Sequence, residues 1–198
     1  MINLAREVGA PCLLPAAFYD TSRHSFAQLF EPNEDDPLYR SDQPPPSLSP
    51  FDMQHLCLGK ESSQQTITTL IQSLGNGRYF RHAAAAAQKG MNRTHLHGKR
   101  GTLSGLTCDS APVCRKDFTE LKELATQHYL FDRESGCCDP LYVAEELGQL
   151  KSAEFSECKA CANALESWAC REREKIWKMI PHWFRLEVLS GGSSSPKP

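Results

Sequence analysis

Four of the nine cysteines have a spacing that could support chemistry. Cys158 and Cys161 form a Cys-x-x-Cys pair at the predicted start of the last helix, where both side chains point to one side. Cys108 and Cys114 lie just before and at the start of another predicted helix. Soft thiolate ligands bind zinc tightly, and four of them complete a tetrahedral structural site. The sequence therefore predicts structural Zn²⁺ held by Cys108, Cys114, Cys158 and Cys161, tying two helix starts together.

Two other interpretations of these cysteines stay open. Free cysteine is among the residue types most often buried, so all four could be small core side chains. Cys158 and Cys161 could instead serve thiol redox or sensor chemistry, because free N–H groups at a helix start favour the reactive thiolate. No predicted strand precedes the pair, which disfavours a thioredoxin-like redox unit.

The remaining cysteines and the histidines give weaker signals. Apolar surroundings predict burial of Cys12 and Cys57, and core packing is the interpretation for Cys170. The adjacent Cys137 and Cys138 cannot easily share one tetrahedral centre, so they are expected to be packing or solvent-side thiols. The "THLH" segment, with His95 and His97, is interpreted as a solvated loop rather than a metal pair. The other five histidines are isolated in sequence, and no nucleophile–base or phosphate-binding motif stands out. They are His24, His55, His82, His128 and His182.

Composition and charge exclude several classes of function. A net charge of −2 with scattered basic residues argues against a nucleic-acid binder, which would usually present a basic face. No apolar run approaches the roughly 20 residues that span a bilayer, and no secretory signal is visible. An odd number of cysteines also argues against a disulfide framework. We therefore expect an intracellular protein, cytoplasmic or nuclear, with no nucleic-acid or membrane partner.

Helical spacing dominates the apolar pattern, and no segment shows strand alternation. The sequence predicts an all-α fold, an irregular helical domain of about six or seven helices with long loops. The prediction is one domain over residues 1–189, with poorly ordered loops near 31–47 and 88–108 and a disordered tail over 190–198. Ile67, Leu70, Ile71 and Leu74 form the clearest amphipathic stripe.

Helix boundaries follow from glycine, proline and capping residues. The first helix begins near Ile2 and stops at Gly9, and a second is predicted from Leu13 to about Leu29. Ser49-Pro50 starts the next helix, with Asp52 facing its positive end and Gly59 separating it from the stripe at Ile67. Two later helices are predicted to begin at Ser110 and at Asp139. The last helix is predicted over residues 156–180 and is ended by Pro181. The alanine-rich segment near Tyr79–Lys89 also predicts a short helix.

Several faces are predicted to be buried in the later helices. Phe118, Leu121, Leu124, Ala125 and His128 line one face, and Val143, Leu147 and Leu150 point inward from another. The C-terminal end is rich in apolar and aromatic side chains, for which core packing against the first helices is the prediction and an exposed docking patch the alternative. They are Trp168, Ile176, Trp177, Ile180, Trp183 and Phe184.

Three stretches, in this order, resemble a known family. "NLAREVGAPCLLPAAFYDTSR" (residues 3–23) is similar to the segment that follows the BTB/POZ domain in fungal, mostly basidiomycete, BTB-domain proteins. "LSPFDMQHLCLGKE" (residues 48–61) resembles a second element of that family. The Cys-x-x-Cys pair, Arg173, Trp177, Pro181 and Trp183-Phe184 resemble its closing motif. Arg185 departs from the pattern, because the family usually has glycine there.

The resemblance implies an adaptor rather than an enzyme. Members of the family mediate protein–protein interactions, and none of the matching motifs implies catalysis. The BTB domain itself is absent, and we expect that in relatives the fold extends upstream of Met1. The leading hypothesis is a non-catalytic helical module that binds other proteins, either as a scaffold or as a truncated family member, with its oligomeric state left open. The alternative is a thiol redox or sensor protein that uses Cys158 and Cys161.

Overall fold

The computed structural model describes residues 1–32, 34–35, 39, 48–76, 111–131, 138–149 and 158–186. All regular structure in these residues is helical, which confirms the all-α prediction. The α-helices are α1 (Ile2–Glu7), α2 (Leu14–Ser22), α3 (Phe26–Phe30), α4 (Pro50–Ser73), α5 (Ala111–Thr126), α6 (Pro140–Gln149) and α7 (Lys159–Trp183). A 3-10 turn (Pro11–Leu13) precedes α2, and a π-helical segment (Gln127–Phe131) continues α5.

Much of what was predicted between the helices lies outside the described residues. This holds for the short helix near 79–89, for the loop near 88–108 and for the tail, and for most of the loop near 31–47. Within the described residues, no helix is both long enough and apolar enough to cross a membrane.

The chain divides into two compact units. One comprises Met1–Thr66 with Ile176–Pro198, and the other comprises Ile67–Lys175. The long helices α4 and α7 each contribute residues to both units. The assignment of residues 1–189 to one domain stays a prediction.

Helix α4 begins as its sequence predicts. The Asp52 N–H donates to Oγ of Ser49 (3.1 Å), and the Ser49 hydroxyl donates to Oδ2 of Asp52 (2.8 Å). Pro50 takes the first helical position, where a missing N–H costs nothing. Asp52 is only 2% exposed and also pairs with Arg6 of α1. The cap of α4 therefore doubles as the attachment point of the N-terminal helix.

The N-terminal segment contains one more helix boundary than predicted. Helix α1 ends before Gly9, whose φ of 64° is readily adopted by glycine, so this stop is confirmed. The single helix predicted from Leu13 to about Leu29 is wrong, because α2 ends at Ser22 and α3 begins after Ser25. Ser25 and Gln28 form a reciprocal capping box, with N–H donors satisfied at 3.1 and 2.9 Å. This cap supplies the partners that a new helix start requires.

Gly59 lies inside α4 and does not interrupt it, so the predicted separation there is wrong. A Cβ atom at Gly59 would lie 1.8 Å from Cε1 of Phe184, which means that the phenylalanine ring rests directly on the helix backbone. Phe184 is fully buried and stacks on Phe18 with ring centroids 5.3 Å apart. The glycine permits this close approach of ring and backbone.

The end of α7 also differs from the prediction. Pro181 was expected to end the helix, but the helix continues to Trp183. Proline lacks an N–H donor and its ring crowds the carbonyl four residues earlier, but this helix accommodates both effects in its last turn. Trp183 packs near Tyr19, with ring centroids 6.5 Å apart. Arg185 then turns the chain with φ of 53°, a left-handed conformation that non-glycine residues adopt at a cost.

Core packing is confirmed for most of the C-terminal apolar residues. Trp177 is the exception, since it is 61% exposed. The buried members are Trp168, Ile176, Ile180, Trp183 and Phe184.

The core of the unit formed by Ile67–Lys175 follows the predicted stripes with two exceptions. The stripe from Ile67 to Leu74 is buried throughout, as are Phe118, Leu121, Ala125, Val143 and Leu147. Leu124 is exposed, because it lies on the flank of the stripe through Phe118 and Leu121. His128 is exposed as well, and Tyr129 of the π-helical segment is buried instead. Leu150 lies outside the described residues.

Candidate metal centre

Three of the four predicted zinc ligands lie together at the starts of two helices. Cys114 lies in the first turn of α5, and Cys161 lies in the first turn of α7. Cys158 immediately precedes α7, and its carbonyl accepts the Ala162 N–H at 3.1 Å, which is the first bond of that helix. The fold thus joins a Cys-x-x-Cys pair to a cysteine that is remote in sequence.

The three sulfur atoms are close enough to serve one metal ion. Their Sγ atoms all lie within 4.8 Å of one another. In a tetrahedral site with Zn–S bonds of about 2.3 Å, the ligand sulfurs are about 3.8 Å apart. An adjustment of about 1 Å at most, within reach of side-chain rotation, converts the present arrangement into a coordinating one. None of these three cysteines forms a disulfide bond.

All three thiols are shielded from solvent. Cys114 is 2% exposed, Cys158 6% and Cys161 1%. The N-terminal ends of α5 and α7 carry partial positive charge from their free N–H groups. Thiolate ligands in this position would therefore gain stabilisation, and a bound cation would offset the burial of their charge.

The surrounding core is also compatible with cysteines that simply pack. Cys114 is continuous with the buried stripe through Phe118 and Leu121, and Cys161 is continuous with Leu165, which is fully buried. Burial alone therefore fits both the metal and the core-thiol interpretation. What favours the metal is the convergence of three sulfurs from two helices on one point, which core packing does not require.

The predicted fourth ligand, Cys108, lies outside the described residues. Within the part of the chain that the structure describes, the group of possible metal ligands consists of Cys114, Cys158 and Cys161. The role of Cys108 stays a prediction, as does the solvated-loop interpretation of His95 and His97, which also lie outside the described residues.

The interpretation of the remaining cysteines was partly wrong. Cys12, Cys57 and Cys170 were expected to be buried, yet all three are exposed. Cys12 and Cys57 lie in apolar stretches, but the helical turn directs their side chains outward, and Cys170 likewise lies off the buried stripe of α7. Cys138 is half-buried, consistent with a packing thiol, and Cys137 lies outside the described residues.

A polar cluster that the sequence did not reveal lies in the same unit. Glu146 of α6 accepts hydrogen bonds from Tyr142 (2.5 Å) and from Tyr129 of the π-helical segment (2.7 Å). These hydrogen bonds, that from Tyr142 first, lower the pKa of the Glu146 carboxyl. A spacing of four residues within α6 could have suggested the Tyr142 contact, whereas Tyr129 meets Glu146 only through the fold.

The buried His55 of α4 is the other polar feature that sequence reasoning missed. It is 6% exposed, and its Nδ1 atom has no hydrogen-bond partner in the described part of the chain. Nothing in its sequence surroundings distinguishes it from the other histidines, because its environment includes Arg6 of α1, Phe18 of α2 and Arg185, which lies beyond the end of α7.

Known proteins do not extend these observations. The chain matches no protein-family model, no curated protein and no solved structure. The resemblance to fungal BTB-domain proteins therefore stays a prediction, and the candidate metal centre is the site from which a function can be argued.

Proposed function

We propose that the protein is a non-catalytic helical module that binds other proteins and contains one structural Zn²⁺ ion. The observation that carries the zinc proposal is the convergence of three buried sulfurs, those of Cys114, Cys158 and Cys161, within 4.8 Å at the starts of α5 and α7. Thiolate is the ligand that structural zinc sites use most, and such sites contribute directly to folding.

A structural role for the metal follows from burial. Catalytic zinc keeps one position open to water or substrate, whereas structural zinc is enclosed by its ligands. Cys161 is 1% exposed and Cys114 2%, so a substrate would have to displace core side chains to reach an ion between them. Cys108 is proposed as the fourth ligand on its sequence spacing alone.

Zinc content of purified protein tests this proposal. Wild-type protein is expected to contain close to one zinc ion per chain, and Cys161→Ser is expected to lose most of it. Cys170→Ser is the matched control, because Cys170 lies on the same helix but is exposed. The same measurement on Cys108→Ser tests the fourth ligand.

Thermal unfolding provides a second measurement. A chelator should lower the unfolding temperature of wild-type protein and of Cys170→Ser but leave Cys161→Ser almost unchanged, since that variant has no zinc to lose. Wild-type protein that is folded, metal-free and insensitive to the chelator would contradict the zinc proposal and favour core thiols.

The thiol redox alternative predicts a different result. It requires an accessible thiol of low pKa at Cys158 or Cys161, whereas both side chains are buried. Alkylation of native protein with iodoacetamide at pH 7, followed by peptide mass spectrometry, should label Cys12, Cys57 and Cys170 and spare the buried pair. Rapid labelling of Cys158 or Cys161 in native protein would support the redox function instead.

The protein-binding part of the proposal is supported by the family resemblance and by Trp177. Exposed tryptophan is enriched among the residues that dominate interface energetics, and Trp177 is 61% exposed on α7. Quantitative affinity purification should show partners that bind wild-type protein and are lost with Trp177→Ala. Leu124→Ala, which also removes an exposed apolar side chain, serves as the control. A wild-type sample with no enriched protein would count against the adaptor role.

A further inference from the structure

His55 occupies an unusual position for a histidine. Its ring lies near two aromatic rings, with the Phe51 centroid at 4.1 Å and the Phe18 centroid at 6.3 Å. The side chain is almost fully buried, and Nδ1 makes no hydrogen bond within the described residues. A buried imidazole in an aromatic surrounding is far easier to accommodate neutral than charged.

The charges around His55 come from three elements. Asp52 lies one turn earlier on α4, Arg6 reaches in from α1, and Arg185 follows α7. Asp52 is the one carboxylate near the ring among the described residues, and its oxygens already have donors, since Oδ1 accepts from Arg6 and Oδ2 accepts from Ser49. One negative and two positive charges therefore face the ring, and a protonated His55 would add a third positive charge to this group.

We propose that His55 makes the attachment of helix α1 sensitive to acid: protonation of its buried ring loosens the packing of α1 and α2 on α4. Arg6 is the residue most directly affected, because a protonated His55 would compete with it for the carboxylate of Asp52. The proposal is independent of the metal centre, whose cysteines belong to the other compact unit.

The direction of the pH effect follows from linkage. Burial, opposed in part by Asp52 and reinforced by Arg6 and Arg185, lowers the pKa of His55 below its ordinary value of 6.5. The unfolded chain then binds the proton more readily than the folded one. The contribution of neutral His55 to stability is complete above about pH 6.5 and is lost as the pH falls through that value toward the lowered pKa, by up to tenfold in the unfolding equilibrium constant per pH unit.

Urea unfolding from pH 7.5 to 5.5 tests the proposal. Wild-type protein is expected to become several-fold easier to unfold across this interval, and His55→Gln is expected to show a flatter dependence whatever its absolute stability. His182→Gln is the matched control, because it makes the same substitution at an exposed histidine of the same unit.

Two further measurements address the site itself. The imidazole carbon-bound proton of His55 should titrate in NMR spectra below the ordinary histidine value of 6.5. Hydrogen exchange, corrected for the intrinsic rate, should show peptides from residues 2–22 losing protection at pH 5.5 in wild-type protein but not in His55→Gln. A His55 that titrates at 6.5 or higher, or equal slopes for wild type and His55→Gln, would overturn the proposal.

Discussion

Replacement of Gly59 by alanine is the sharpest test of how the first unit is packed. In an ordinary exposed helix position this change stabilises a protein by about 1 kcal/mol, because glycine is a poor helix former. At Gly59 the new Cβ atom would lie 1.8, 2.2 and 2.6 Å from three carbons of the Phe184 ring. Ordinary carbon–carbon contacts lie at about 3.5–4.0 Å, so the ring would have to move by well over an ångström.

The ring has little freedom to make that movement. Phe184 is fully buried and stacked on Phe18, which is also fully buried. Overpacking of this kind typically costs about 1–3 kcal/mol and more when backbone must shift. Because the clash is severe, the upper end of this range applies, and after subtraction of about 1 kcal/mol of helix-propensity gain Gly59→Ala is expected to destabilise the protein by about 2 kcal/mol.

Urea unfolding followed by circular dichroism measures this value, and a matched pair of variants isolates the clash. Gln65 is exposed on the same helix, so the step from Gln65→Gly to Gln65→Ala should be stabilising where the same step at Gly59 is destabilising. Phe184→Leu should itself weaken the protein but reduce the penalty of Gly59→Ala, with a coupling energy above about 0.5 kcal/mol. A Gly59→Ala variant as stable as wild type would refute the described packing.

Three further predictions concern single contacts. Arg185→Gly should stabilise the protein by about 1 kcal/mol in urea unfolding, because it removes a left-handed non-glycine residue; Arg185→Val should do the opposite. Arg6→Met should destabilise by about 1–3 kcal/mol by leaving the buried Asp52 without its cation, and Arg6→Lys should recover part of the loss. Glu146 has a lowered pKa, so its carboxylate stabilises the fold above about pH 4.5, and this stabilisation is lost as the pH falls further. The free energy of unfolding of Glu146→Gln should therefore depend less on pH below 4.5 than that of wild type. An equal pH dependence would contradict the hydrogen bonds from the two tyrosines.

The sequence alone was a reliable guide at several sites that a short-range rule governs, although the capping box of Ser25 and Gln28, which is also local, was missed. The apolar stripe from Ile67 to Leu74 predicted a buried helical face, and Ser49-Pro50 predicted the start of α4. Both depend on residues within two turns of each other, so their physical causes are visible in the sequence. The Cys-x-x-Cys pair at a helix start belongs to the same class, since spacing alone places its two thiols on one side.

Local rules failed where a distant residue changes the balance. Gly59 was interpreted as a break because glycine weakens helices, but Phe184 fills the space above it and keeps the helix continuous. Cys57 was interpreted as a core thiol because its neighbours are apolar, but a shift of one position on a helix turns a side chain by about 100°. Neither outcome can be read from the local pattern.

The residues that could bind a metal or a proton show the same division between local and long-range causes. The sequence by itself determined the helical class, the principal helix starts and the pairing of Cys158 with Cys161, because each follows from the periodicity and capping of a single helix. Only the tertiary structure decided that Cys114 joins that pair and that His55 is buried near Arg6 and Arg185. Those placements depend on how helices far apart in sequence pack, and packing is decided by the shapes of the surfaces that meet.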